Sequence, residues 1–472
     1  MTELMMTCQV CPRGCYLQAA KDTGGHVSVE GNDCERGVLF ATAQLTSDPF
    51  TTAVRPLYVD ESALAKQPER YQHAIAMFRQ LYGEEGDVQL YSAPGRSEVG
   101  GNHTDHQHGK VLACSLNLDV IAVVRPREDG FVRLKSEGYP EDRVDLSQLD
   151  PVPEEEGTSQ ALIRGVAGAL AAAGYAVGGF DAYTTSDVLQ GSGMSSSAAF
   201  EVLVGTILSG LYNDGAIPPV TVAKASQIAE NRYFGKPSGL LDQMACSVGN
   251  LVTIDFKDPA EPVVRQVDAD FGAFGHSLCI VDTHGSHADL TPDYAAVPAE
   301  MKQVAAFFGK EVLRDVDEEA FYEKLPEVRA QVGDRPVLRA IHFFEENRRV
   351  DREVAALEAG DFEAFLNEVR ASGNSSYKFL QNVYSPAHPE RQGVSLALAL
   401  SEKVLKGRGA SRVHGGGFAG TIQAFVPNDL VEEYRETLDA ALGEGSCHIL
   451  FVRGVGGTKI ETNDLTEKEE RT

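Results

Sequence analysis

Residues 190–199 read Gln-Gly-Ser-Gly-Met-Ser-Ser-Ser-Ala-Ala, and Val202, Leu203, Val204, Ile207 and Leu208 follow at helical spacing. Gly191 and Gly193 let the backbone turn sharply and approach a ligand, leaving N–H groups pointing outward. Ser192, Ser195, Ser196 and Ser197 add hydroxyls beside those amides. A Gly/Ser loop that opens a buried helix is an anion site, because unpaired amides and the helix dipole both favour negative charge there. The lysine of the G-x-x-x-x-G-K-[ST] loop is missing, so this is not a Walker-type phosphate loop. The plainer alternative is a flexible Gly/Ser linker.

Two further segments decide between these readings. Residues 93–112 read Ala-Pro-Gly-Arg-Ser-Glu-Val-Gly-Gly-Asn-His-Thr-Asp-His-Gln-His-Gly-Lys-Val-Leu, and residues 414–425 read His-Gly-Gly-Gly-Phe-Ala-Gly-Thr-Ile-Gln-Ala-Phe. In this order and at these separations the three segments resemble the signature motifs of the GHMP family of small-molecule kinases. The stretch Gly-Asn-His-Thr-Asp-His is similar to the galactokinase signature, in which a Gly-Glu-His-Thr-Asp-Tyr core holds the sugar. Residues 230–243, Glu-Asn-Arg-Tyr-Phe-Gly-Lys-Pro-Ser-Gly-Leu-Leu-Asp-Gln, resemble the galactokinase segment that ends in the catalytic Asp. The resemblance runs from about residue 71 to about residue 457.

The resemblance implies an α+β fold of two lobes. An N-terminal lobe like the second domain of ribosomal protein S5 would span 70–275, and a ferredoxin-like C-terminal lobe 276–457, with the active site between them. It implies transfer of the ATP γ-phosphoryl group to the anomeric hydroxyl of galactose. Such a transfer is a problem of positioning and charge neutralisation. ATP would lie on Gly191, Ser192, Gly193, Ser195, Ser196 and Ser197, with Gly416 and Gly417 contributing from the later glycine run. Mg²⁺ would be held by Ser196 and Glu230, whose oxygens are hard ligands. Asp242 matches the catalytic carboxylate and Arg96 its partner; an adjacent guanidinium lowers a carboxylate pKa and keeps it charged. Asn102, His103, Asp105, Gly239 and Tyr294 fall at sugar-binding positions. Two residues depart from the pattern. Asn102 replaces the usual Glu, exchanging a charged acceptor for a neutral amide, and His106 replaces the usual Tyr.

Two competing functions are weighed. Four ligating side chains, His103, Asp105, His106 and His108, lie within six residues, but no H-E-x-x-H spacing exists to set a zinc hydrolase site. Galactokinase-like proteins that sense sugar without catalysis tend to lose the serine loop or the Asp. Here Gly193, Ser195, Ser196, Ser197, Arg96 and Asp242 are all present.

Charge narrows the partners. The 42 Lys and Arg stand against 69 Asp and Glu, for a net charge of −27, which repels nucleic acid and anionic membranes. No apolar run reaches the ~18 residues of a membrane span, and a monomeric cytoplasmic enzyme acting on a sugar and ATP is expected. Of eight cysteines, Cys114, Cys246, Cys279 and Cys447 sit among apolar neighbours and read as buried, inert thiols. Cys8, Cys11, Cys15 and Cys34 cluster in a Gly-rich, core-poor segment over 1–45. Their pattern resembles small modules that bind an iron–sulfur cluster, with a four-thiolate zinc site as the competitor.

Between that segment and the kinase lobes, 46–69 is polar, carries three prolines and reads as a connector. Apolar spacing predicts a short helix over 71–81 and helices over 160–173, 223–232, 300–308, 339–357 and 396–405. Strands are expected over 88–91, 251–256, 278–282, 422–426 and 448–452, with a pair of buried strands in 111–124. The stretch 134–147 is charged and mixed, and 458–472 reads as a disordered tail.

Overall fold

The computed structural model describes residues 2–461 except 8–14, 22–26, 33–36, 39–40, 42–48, 189–193, 237 and 286–289. Cys8, Cys11 and Cys34 therefore lie outside the described residues, as do Gly191, Ser192 and Gly193 of the serine loop and nearly all of the expected tail.

The chain begins with β1 (Thr2–Thr7), β2 (Tyr16–Lys21) and β3 (Val27–Glu30), a three-stranded antiparallel sheet. Leu17, Ala19 and Ala41 form a small apolar cluster on it, with Cys15 packed alongside. Next come α1 (Pro49–Val54) and α2 (Glu61–Tyr82), where the sequence reading has a connector and one short helix. Pro68 hides the helix from that reading, because a proline inside a helix removes a hydrogen bond and crowds the preceding turn. Tertiary packing overrides the proline. Phe50, Val54, Leu57, Tyr58, Leu64 and Tyr71 bury in one cluster with Ile121, Val123 and Tyr183. The segment is thus an integral face of the first lobe.

That lobe is built on an eight-stranded sheet. Its strands include β4 (Gln89–Gly100), β5 (Lys110–Arg127), β6 (Phe131–Ser136), β7 (Glu141–Asp145) and β8 (Gly179–Ser186). β9 (Leu251–Asp255), β10 (Val263–Val267) and the late strand Thr458–Ile460 complete it. The expected pair of strands in 111–124 is one strand. β5 runs unbroken, paired with β4 along one edge and with β9 and then β8 along the other, while Leu116 bridges to Val452 in the gap between them. Asn117 and Asp119 look like a break in sequence, yet the Asp119 carboxylate is fully buried and satisfied. It accepts from Tyr58 Oη at 2.6 Å, Arg70 Nη1 at 2.7 Å and Arg453 Nη1 at 3.1 Å. Charged 131–145 forms the β6–β7 hairpin, with Leu134 and Val144 facing the core.

Helices α3 (Ser159–Ala172), α4 (Ser196–Tyr212), α5 (Pro219–Ile228) and α6 (Leu241–Val248) pack together over the sheet. A π-helical turn at Ala229–Phe234 continues α5. Such widened turns recur at functional sites.

The second lobe holds β11 (His276–Asp282), α7 (Thr291–Phe307), α8 (Glu318–Glu323), α9 (Leu325–Val332), α10 (Asp334–Glu358) and α11 (Phe362–Ser375). It closes with α12 (Gly393–Leu405), β12 (Ala410–Val413), β13 (Thr421–Pro427), α13 (Val431–Leu442) and β14 (Cys447–Leu450). Its four strands form an antiparallel sheet in the order β12-β13-β11-β14. α12 and α13 pack on that sheet through Ala397, Val404, Tyr434 and Leu438. Arg412 on β12 is wholly buried and donates to the backbone oxygens of Glu98 (2.7 Å) and Val99 (3.2 Å), pinning this lobe to β4. No described helix is long and apolar enough to cross a membrane.

Candidate active site

Asp242 stands in the first turn of α6, Arg96 on β4, and Ser195 at the residue before α4. The fold brings the three into contact. Arg96 Nε donates to Asp242 Oδ1 at 2.6 Å, and Ser195 Oγ donates to Oδ2 at 2.7 Å. Burial pushes the Asp242 carboxyl up, but the Arg96 guanidinium and both hydrogen bonds outweigh it and hold the group below its ordinary value. A carboxylate kept ionised in a cleft can receive a proton. Ser195 reaches it only by adopting φ +57°, a left-handed conformation unusual for a serine. The Arg96 amide donates to Met194 O at 3.2 Å, which ties the serine loop to the same strand.

Beside this trio lies an oxygen-rich pocket. Glu230 opens the π-helical turn with its side chain almost wholly buried. Ser197 Oγ donates to its Oε1 at 3.3 Å and Lys236 Nζ at 2.6 Å, while Gln243 Nε2 donates to its Oε2 at 2.8 Å. Gln243 Nε2 also reaches Glu201 Oε2 at 3.1 Å. Glu201 is fully buried, and burial followed by the Glu230 charge pushes its carboxyl well above the ordinary value. Among the described residues, Glu201 Oε1 and Gln243 Oε1 have no hydrogen-bond partner. Buried carboxylates, a hydroxyl and orphaned oxygens suit a hard divalent cation. The serine that faces Glu230 is Ser197, not the expected Ser196. Successive residues of a helix point about 100° apart, and motif matching alone cannot tell which of two adjacent serines faces the carboxylate. Glu201 was missed, although an ionisable residue inside the apolar stripe of α4 is a readable signal.

Of the residues expected to bind sugar, Asn102, His103 and Asp105 lie on the turn after β4, Gly239 just before α6 and Tyr294 in the first turn of α7. His103 has φ +58°; its Nδ1 lies 3.3 Å from His106 Nε2, and its Nε2 lies 3.1 Å from the Gly416 carbonyl oxygen. His106 therefore supports His103, and burial lowers the pKa of both rings, leaving neutral imidazoles. Asp105 packs so tightly on Gly239 that a methyl there would overlap its Oδ2. Burial lifts its carboxyl to about 6, backbone hydrogen bonds pull it back, and Glu98 and Asp242 add to the rise. Tyr294 Oη donates to Gly417 O at 2.9 Å and its ring packs edge-on to Phe418. Gly416 sits under the Tyr294 ring and Gly417 against Asn382, so both glycines of this run, expected to contribute to ATP binding, pack beside Tyr294 and Asn382.

Asn102 departs from its expected role. It is completely buried, and its amide is saturated. Nδ2 donates to Glu98 Oε1 at 2.9 Å and Gly415 O at 2.7 Å, while Oδ1 accepts from Asn382 Nδ2 at 2.9 Å and Ser376 Oγ at 3.3 Å. Two donors and two lone pairs are all an amide has. Asn102 joins the lobes and has nothing left for a sugar.

Residues 76–126 match the galactokinase galactose-binding signature, and residues 161–250 match the N-terminal domain of GHMP kinases. A galactokinase of Streptomyces coelicolor is 34% identical over 354 residues, covering 74% of this chain and 87% of the relative. The crystal structure of Lactococcus lactis galactokinase complexed with galactose superposes with a TM-score of 0.70 at 25% identity, covering 81% of this chain and 98% of that one. Mevalonate kinase of Methanococcus jannaschii shares the fold, with a TM-score of 0.55 at 15% identity over 78% of this chain and 99% of its own.

Proposed function

The chain belongs to the galactokinase family of GHMP kinases, and we propose that it converts galactose and ATP to galactose 1-phosphate and ADP. The observation that carries the reading is the Asp242 carboxylate, held ionised between Arg96 and Ser195 at the mouth of the serine loop. Asp242 accepts the proton of the anomeric hydroxyl as that oxygen bonds to the γ-phosphorus and the bond to the β,γ-bridging oxygen breaks. ADP leaves with the bridging oxygen. Arg96 stabilises charge on the transferring group as well as orienting Asp242. Ser197 and Glu230 would hold Mg²⁺, which would supply neutralisation of phosphate charge. Lys236 Nζ sits 2.6 Å from Glu230 Oε1 on a side chain exposed enough that it would yield the carboxylate at small cost. His103, Asp105 and Tyr294 orient the sugar, and the backbone of Gly239 fixes Asp105. The same reading makes the protein a cytoplasmic monomer. A separate proposal, from the sequence pattern alone, is an iron–sulfur cluster or zinc on Cys8, Cys11, Cys15 and Cys34, which elemental analysis of protein purified without air tests.

A coupled assay should detect ADP release that depends on galactose. In Asp242→Asn, which keeps the shape and removes the charge, turnover should fall by about 10²–10⁴ while sugar binding survives. A folded Asp242→Asn protein with near-normal turnover would remove Asp242 from the chemistry.

A further inference from the structure

Saturation of the Asn102 amide leaves the sugar side of the cleft without the carboxylate that the motif usually places there. A carboxylate does stand next to it. Glu98 lies two residues after Arg96 on β4, and the register through this stretch is regular, Arg96↔Ser115, Ser97↔Cys114 and Glu98↔Ala113. Side chains alternate along a strand, so Glu98 shares the face of Arg96, displaced by about 6.7 Å. Ser97, on the opposite face, is taken up by His414 at 3.1 Å and Gln423 at 2.8 Å. The two oxygens of Glu98 differ. Oε1 accepts from Asn102 Nδ2 at 2.9 Å and from the buried Arg412 Nη2 at 3.0 Å. Oε2 has no partner among the described residues, and a tenth of the side chain's surface stays open. The Glu98 charge acts on Arg96, His103 and Asp105, the groups that line the cleft.

We propose that Glu98, rather than Asn102, supplies the carboxylate oxygen that receives a non-anomeric hydroxyl of the sugar, and so helps to select the substrate. Asn102 and Arg412 hold Oε1 and thereby aim Oε2. The inference rests on the sugar-kinase reading above. A hydroxyl donated to a carboxylate makes a stronger bond than one donated to a neutral amide. A site built around such an acceptor also discriminates against analogues that lack the hydroxyl.

The test compares the parent with Glu98→Gln on galactose and on its 2-, 3-, 4- and 6-deoxy analogues, with melting curves on both proteins. Glu98→Gln should raise the KM for galactose tenfold or more while kcat and the KM for MgATP stay within about threefold. One deoxy sugar, poor for the parent, should lose no further ground in the variant, which identifies the hydroxyl. A folded Glu98→Gln with the parental KM and deoxy-sugar profile overturns this proposal alone. No galactose turnover by the parent overturns the sugar-kinase reading and the proposal together. Should Glu98→Gln fail to fold, Glu98→Asp keeps the charge beside Arg412 and withdraws Oε2. A folded Glu98→Asp with a raised galactose KM supports the role, and one with the parental KM overturns it.

Discussion

Asp105 holds a charge that its surroundings oppose. Burial lifts its carboxyl to about 6 against an ordinary 3.8, and backbone hydrogen bonds only partly restrain the rise. A folded-state pKa raised above the unfolded value means that the native protein binds the proton more tightly. Stability is then fully present below pH 3.8 and is lost as pH rises through about 6. Near neutrality the ionised form costs up to about 3 kcal/mol. Asp105→Asn should therefore raise the melting temperature at pH 8, change it little at pH 4, and raise the KM for the sugar. A variant that melts below the parent at pH 8 would show that the carboxylate is not strained. In the parent, sugar affinity should decline as pH falls below about 6, where a protonated carboxyl accepts hydroxyls less well. The Asn-His-Thr-Asp run marked His103 and Asp105 as polar groups of one turn, while their contacts with Gly416 and Gly239 come from distant segments. The role of Asn102 was not legible, because its four partners come from residues 98, 376, 382 and 415.

At the scale of single elements, the N-terminal turn of α4 sets which hydroxyl meets which carboxylate. Ser195 turns toward Asp242 and Ser197 toward Glu230. Ser197→Ala should weaken Mg²⁺-dependent ATP binding about tenfold or more in calorimetric titration, as a metal ligand or its support would. Ser196→Ala should cost less. The reverse order would return the ligand role to Ser196. Periodicity located most helices but cut several short. It predicts 300–308 for α7 and 396–405 for α12, whereas the helices run Thr291–Phe307 and Gly393–Leu405. Apolar spacing marks only the part of a helix that faces the core, and the first turns of α7, with Pro292 and Asp293, carry little of it. Strand β5 shows the converse error. A buried aspartate looks like a turn until its partners are known.

For the whole molecule, the boundary of the working enzyme follows from where the core begins. The small cluster of Leu17, Ala19 and Ala41 is separate from the one that Phe50, Val54, Leu57 and Tyr58 share with the main sheet. Removing 1–45 should leave folding and kinase activity intact. Removing 1–59 should not, because it also strips the buried side chains of Phe50, Val54, Leu57 and Tyr58 and the Tyr58 bond to Asp119. One buried aromatic alone is worth about 3–5 kcal/mol. Melting and activity assays on the two truncations check this, and equal behaviour would return 46–59 to the status of a tether.

The sequence by itself determined the family, the two-lobed α+β plan and the ionised Asp242 beside Arg96. Those depend on residue types in short motifs, where local backbone and nearby side chains do the chemistry. Tertiary structure alone decided which serine meets Glu230, that 49–69 belongs to the core, and that Asn102 is spent on joining the lobes while Glu98 Oε2 has no hydrogen-bond partner among the described residues. The reason is hydrogen-bond capacity and burial. Both are counted in three dimensions over residues distant in the chain, and neither is a property of a motif.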